Sequence, residues 1–209
     1  MTEKKLKISI PVAQSKKYEP EKKYVSSTDV TTSFIVEEWN CELVDPAHPA
    51  MSSYASVNPF SGDIDWVERE QEMIALMRTR MGVGLASPQI GSSYDMFVMA
   101  HSILGYIGVY KPEIIEFGDE LANMEEGCLS FPLLYIHVQR PEKVKVRYTK
   151  NDGETIVETW MDGMDARCFQ HEIEHLIGGL FLDHASEFKL KRAKEKRDKL
   201  FKKLLRRTK

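Results

Sequence analysis

The sequence predicts an α+β domain, with short antiparallel strands and small sheets around one central helix and a further helix at the C-terminal end. Three observations point to it. Apolar runs of strand length crowd the stretch between residues 95 and 160, punctuated by turn residues. Stretches of helical period flank that region, one beginning near Asp65 and one over 165–180. Residues 189–209 combine dense Lys and Arg with a narrow apolar stripe of Leu190, Ala193, Leu200, Phe201 and Leu204, the pattern of an exposed amphipathic helix.

Taken in order, Leu-Lys-Ile-Ser-Ile-Pro at 6–11 alternates like a short strand that Pro11 ends. Residues 14–32 are polar without a period, and 33–44 form a second strand-like run. A loop rich in Pro, Ser and Asn covers 45–63. Asp65 and Glu68 stand as N-cap and third helical residue of a helix whose apolar positions include Trp66, Met73, Met77 and Met81. Gly82-Val83-Gly84 stops it and opens a loop to Gly91. Strands are expected at 95–100, 103–110, 134–138, 143–149 and 155–160, with Asn151-Asp152-Gly153 turning between the last two. The 165–180 helix follows, and then a basic helix from about Ser186.

The chain has 209 residues, 42% of them apolar, which suits one domain with appendages. The expected organisation is an N-terminal extension over 1–45, a central domain over 46–185 and the basic helix over 186–209. No apolar run approaches the roughly 20 residues that span a bilayer. The first residues, Met-Thr-Glu-Lys-Lys, carry no apolar signal core. Three widely spaced cysteines (Cys41, Cys128, Cys168) do not suggest a disulfide framework, so a reducing cytoplasm is expected. The net charge of −3 divides unevenly: residues 189–209 carry twelve Lys or Arg against two acids, and the rest is strongly acidic. A tail of opposite sign suggests a partner of its own.

The chemistry is concentrated in Gln170-His171-Glu172-Ile173-Glu174-His175. Helical positions i and i+4 share a face, so His171 and His175 can grip one ion, with Glu172 beside them to move a proton. The plain alternative is a pair of packed histidines beside a surface Glu. Two imidazoles are an incomplete site, since catalytic zinc or iron usually takes three protein ligands. Phe181 stands where an extended protease motif would need a histidine. Glu187 is a distal candidate downstream. Upstream, Cys128 in Glu126-Gly127-Cys128-Leu129-Ser130 is a possible thiolate ligand, although a lone cysteine is more often a small buried apolar residue. An ordinary metalloprotease and a ribosome- or RNA-binding module with a vestigial site are the competing readings.

Three motifs in this order, Gly82-Val83-Gly84-Leu85-Ala86-Ser87-Pro88-Gln89, Glu126 to Ser130 and Gln170 to His175, resemble those of the peptide deformylase family. The resemblance covers the chain from about Pro46 onward. Ser87 stands where the family usually has Ala, and Glu174 where it usually has Asp. The resemblance implies that Cys128, His171 and His175 bind one divalent metal ion, most often Fe(II), with Zn, Ni or Co able to substitute. It implies hydrolysis of the formyl group of N-formylmethionyl nascent peptides. On the same resemblance, metal-bound hydroxide would attack the formyl carbon, with Glu172 as general base and then acid and the Gln89 amide and Leu129 N–H stabilising the oxyanion. Val83, Gly84, Gly127, Tyr135, Met164 and Cys168 are implied around the substrate, and Glu126 and Arg140 as an ion pair. By the same resemblance the basic helix, 189–209, is expected to dock on the ribosome near the tunnel exit.

Overall fold

The computed structural model describes residues 41–62 and 64–207, all within one compact unit. The expected strand at 6–11 and most of that at 33–44 lie outside the described residues, and 41–44 form no strand.

Helix α1 spans Trp66–Thr79. Seven strands follow: β1 Gly84–Ala86, β2 Met96–His101, β3 Gly105–Phe117, β4 Leu121–Cys128, β5 Phe131–Pro141, β6 Lys143–Thr149 and β7 Ile156–Asp162. Helix α2 spans Gly163–Leu176 and α3 spans Glu187–Arg207. Five strands form an antiparallel sheet in the order β1-β2-β3-β6-β7, while β4 and β5 pair as a separate antiparallel ribbon.

Strand β2 shows why the sheet sits between two helices. Its run Met96-Phe97-Val98-Met99 is fully buried, as a strand covered on both faces must be. Met96 and Val98 join Trp66, Met73 and Met77 of α1 in one apolar cluster. Phe97 and Met99 join Phe169 and Ile173 of α2 in another. The Phe97 and Phe169 rings meet edge to face at 5.1 Å. Nearly every residue of α2 is buried, so it is the central helix of the fold.

Helix ends are set by local hydrogen bonds. Asp65 Oδ1 accepts from the Val67 and Glu68 amides, satisfying two orphan donors of α1. At the other end Gly82 N bonds Met77 O and Met81 N bonds Arg78 O, a Schellman closure. Met81 therefore takes the left-handed position (φ 57) and is almost fully exposed, not a continuation of the apolar stripe. Helix α2 ends earlier than 180, because Gly178 (φ 73) and Gly179 close the same motif on His175 O and Glu174 O. Its start is tied to the β2–β3 turn: the Ser102 amide and hydroxyl donate to Asp165.

Two elements differ from expectation. The 82–91 stretch is no simple loop; it contains β1 and a 3-10 turn over Ser87–Ile90. Strand β4 falls where no strand was expected, because its outward positions are polar and its order comes from pairing with β5. Between β6 and β7, Gly153 is left-handed (φ 73) and Asp152 Oδ1 accepts from the Glu154 and Thr155 amides, as the Asn-Asp-Gly signal implied. Helix α3 lies against β5, with Ala193 packed on the Ile136, Val138 and Phe181 cluster. Among the described residues no helix is long and apolar enough to cross a membrane.

Candidate metal centre

Strand β4 delivers Cys128 at its last position, just before the Leu129-Ser130 turn into β5. Helix α2 delivers His171 and His175 one turn apart. One ligand atom from each of the three lies within 4.8 Å of the others, and Cys128 Sγ is 3.3 Å from His175 Nε2. A tetrahedral site with one sulfur and two nitrogens needs ligand separations of about 3.4–3.6 Å, which side chains so close can supply. The donor set fits a first-row divalent ion: one soft thiolate and two imidazoles suit iron and zinc alike.

The ring of His171 is oriented from behind. Its Nδ1 is 3.0 Å from Glu126 Oε2, leaving Nε2 as the nitrogen available for a ligand role. Glu126 is in turn the hub of a buried ion-pair network. Arg140 donates to both its oxygens at 2.8 and 3.0 Å, and Arg167 Nη1 donates at 2.9 Å. Burial alone would raise the Glu126 carboxyl; hydrogen bonds from His171 and Arg140 instead hold it well below the usual range. Arg140 Nη2 also reaches Glu174 Oε2 at 2.8 Å. Arg167 belongs to this network and was not singled out from the sequence, since it stands in no spacing that marks chemistry.

Electrostatics separate the two histidines. Burial, then the neighbouring His171, pushes His175 down to about 3, so its imidazole is neutral. Burial also acts to lower His171, but hydrogen bonds with Cys128 and Glu126 outweigh it and bring it up to about 10. The proton His171 holds is one that a cation bound by these three groups would displace.

Glu172 faces a different environment. Burial pushes its carboxyl up to about 7, and Oε2 is buried without a hydrogen-bond partner. Its carboxylate lies directly against the β1 backbone: a Cβ on Gly84 would fall inside it and 2.8 Å from Cys168 Sγ. Gln89 comes from the 3-10 turn after β1. Its Oε1 accepts from the Ala86 amide at 2.8 Å, which aims Nε2 at Cys128 Sγ (3.3 Å) and Ser130 Oγ (3.1 Å).

These groups open onto a cavity of about 640 Å³. Gln89, Leu129, Cys128, His171, Glu172 and Glu126 line it, as do all six residues expected around substrate: Val83, Gly84, Gly127, Tyr135, Met164 and Cys168. His175 and Arg140 do not line it and are almost fully buried. Met164, Val83 and Tyr135 are about half exposed, whereas Cys168 is a core residue whose thiol donates to Val83 O. The Tyr135 ring covers Gly127, where a Cβ would meet Tyr135 Cε1 at 2.7 Å.

The polypeptide deformylase family profile matches residues 43–191. The chain belongs to the polypeptide deformylase family. A peptide deformylase of Thermotoga maritima is 44% identical over 119 residues, covering 57% of this chain and 71% of that one. The crystal structure of a peptide deformylase from Legionella pneumophila superposes with a TM-score of 0.68 at 35% identity, over 79% of this chain and 97% of that one. A Met-Ala-Ser-bound peptide deformylase from Acinetobacter baumannii gives a TM-score of 0.62 at 33% identity, over 69% and 97% of the two chains. Deformylases are metal-dependent hydrolases that remove formyl groups from peptides, and this chain is one of them.

Both departures from the deformylase motifs find partners. The buried Ser87 hydroxyl donates to Tyr94 O, beyond the Gly91 that ends its turn. The longer Glu174 reaches Arg140 with one oxygen and His184 Nε2 with the other, the latter at 2.6 Å. His184 was not singled out from sequence; it lies in a 3-10 turn, Phe181–His184, beyond the glycines that end α2.

Proposed function

We propose that Cys128, His171 and His175 hold one iron(II) ion, with zinc, nickel or cobalt able to replace it, and that the substrate is an N-formylmethionyl nascent peptide. The observation that carries this reading is the convergence of the three ligand atoms beside a buried Glu172 carboxylate, one oxygen of which has no partner, at the end of an open cavity. When bound, the ion supplies Lewis acidity and makes a water acidic near neutral pH.

The remaining steps belong to the chain. Glu172, with its carboxyl raised to about 7 by burial, takes the proton of the attacking water and passes it to the leaving amine. The Gln89 side-chain amide is preoriented by its bond to the Ala86 amide and donates to the developing oxyanion, together with the Leu129 backbone N–H. The methionine side chain enters between Val83, Met164 and Cys168, with Tyr135 at the rim. The backbone at Gly82 and Gly84 receives the peptide as an added strand. The ion pair of Glu126 with Arg140 keeps His171 in its ligand orientation.

We assign the catalytic domain to 46–185, with 1–45 preceding it and 186–209 as an appended basic helix that contacts ribosomal RNA near the tunnel exit, a cytoplasmic setting. The exposed cations of α3 support this, since each phosphate contact releases a counterion and makes binding salt-dependent. Ribosome co-sedimentation lost on replacing Lys199, Lys202 and Lys203 with Gln is the expected result; undiminished co-sedimentation contradicts it.

The reaction itself is tested by formate release from formyl-Met-Ala-Ser with the iron(II)-loaded protein. Release at one metal per chain is expected, and no release with metal bound would refute the assignment.

A further inference from the structure

The buried network described above runs further than a ligand and its orienting carboxylate. From His171 it passes through Glu126, Arg140 and Glu174 to His184, each link at 2.6–3.0 Å. Glu174 sits on α2 immediately before the ligand His175, and its two oxygens are held from different elements. Arg140 of β5 takes Oε2, and His184 of the Phe181–His184 turn takes Oε1. The carboxylate is almost wholly buried, so its second oxygen needs a donor as much as its first. The turn carrying His184 is itself anchored. Phe181 is fully buried against Ile136 and Val138, and its ring lies 5.5 Å from that of His171.

The extra methylene of Glu174 has a structural counterpart here. Gly179, without a side chain, lets the Glu174 stem pass: a Cβ there would meet Glu174 Cγ at 2.9 Å. Gly178 and Gly179 then reverse the chain so that the 181–184 turn comes back alongside α2. His184 therefore meets an oxygen that a side chain shorter by one methylene would bring less far.

We infer that His184 is a positioning residue for the metal centre: by clamping Glu174 it fixes the rotation of α2 and frees Arg140 to hold Glu126 against His171. Without the clamp, Glu174 has only Arg140 to satisfy both oxygens, and it draws that guanidinium away from Glu126. The inference concerns the metal-holding power of the site, and it rests on Cys128, His171 and His175 being the ligands.

The test loads cobalt(II) into wild type, His184→Phe, His184→Gln, Glu174→Asp and the Glu174→Asp/His184→Phe double variant. Metal release to a chelator is followed through the cobalt absorption bands, with Tm measured alongside. Outer-shell partners of metal ligands are worth roughly ten- to a hundredfold in metal affinity, so release about tenfold faster is expected from His184→Phe and from Glu174→Asp. The double variant should be no faster than either single one. His184→Gln keeps an N–H donor at comparable reach and should release cobalt at the wild-type rate. Equal rates for wild type and His184→Phe overturn the inference, as does a His184→Gln protein that behaves like His184→Phe. Should His184→Phe fold poorly, Glu174→Asp and His184→Gln decide the matter between them. A wild-type protein that takes up no cobalt overturns the ligand reading and this inference with it. Unchanged release in the variants overturns this inference alone.

Discussion

Two buried glutamates beside the candidate metal centre have opposite fates. Glu126 receives Arg140, Arg167 and His171, and is held ionised far below the usual carboxyl range. Glu172, within the same cavity lining, has an oxygen with no partner and is pushed up to about 7 by burial. Burial penalises charge in both; what differs is the supply of donors. The first carboxylate is a fixed strut that orients the His171 ring, and the second is a group able to exchange protons near neutral pH. The fold builds both from the same residue type within a few ångströms of one helix.

Removing the strut should have the largest effect on stability. Glu126→Gln leaves Arg140 and Arg167 buried with less compensation and weakens the partner of His171. Breaking one side of a buried pair costs about 3–5 kcal/mol, and the metal affinity should fall roughly ten- to a hundredfold. Denaturant unfolding and chelator competition measure the two losses. A stability change under about 1 kcal/mol would mean that the network carries little weight.

Displacing the Glu172 carboxylate without removing it is a subtler break. A methyl at Gly84→Ala would occupy the space of the Glu172 carboxylate and press on Cys168. An ångström of misplacement in a catalytic group can cost about a hundredfold in rate, so kcat for formate release should fall by that order. Wild-type kcat in Gly84→Ala would show that Glu172 does not need its place against β1.

Asp95 sharpens the comparison away from the metal. It is a half-buried carboxyl raised to about 7, first by desolvation, with Lys111 opposing. In the unfolded chain it titrates near 3.8, so between those values the folded protein holds a proton that the unfolded chain releases. Stability should therefore fall as pH rises from about 4 to about 7, then level off. At roughly 1.4 kcal/mol per pKa unit the upper bound is about 4 kcal/mol, reduced by the solvent that still reaches the group. Asp95→Asn should flatten that limb in Tm-versus-pH curves; an unchanged slope would assign it to other groups.

Much of this was legible in the chain and some was not, for identifiable reasons. The α2 helix and its two histidines show in sequence because a buried helix writes its period into apolar positions such as Phe169, Ile173 and Leu176. Strand β2 is plain as an apolar run. Strand β4 is hidden, because its stability lies in pairing with β5 and in ion pairs at Glu126 rather than in an alternating apolar face. Met81 fits the spacing of α1 yet leaves the helix, since the Schellman bonds at Gly82 decide the end and spacing does not. The Glu174–His184 contact joins residues ten apart across a Gly-Gly reversal, and no period connects them. Spacing alone does not tell whether Cys128 is a ligand or a core residue; the end of β4 beside both imidazoles is a tertiary fact that no local pattern carries.

The central claim, that one carboxylate holds while the other reacts, is tested most directly by Glu172→Gln, measured for bound metal and for formate release on the same preparation. The account predicts one metal per chain, as in wild type, with turnover lowered about a hundred- to ten-thousandfold. Turnover near the wild-type rate in metal-loaded Glu172→Gln would contradict it.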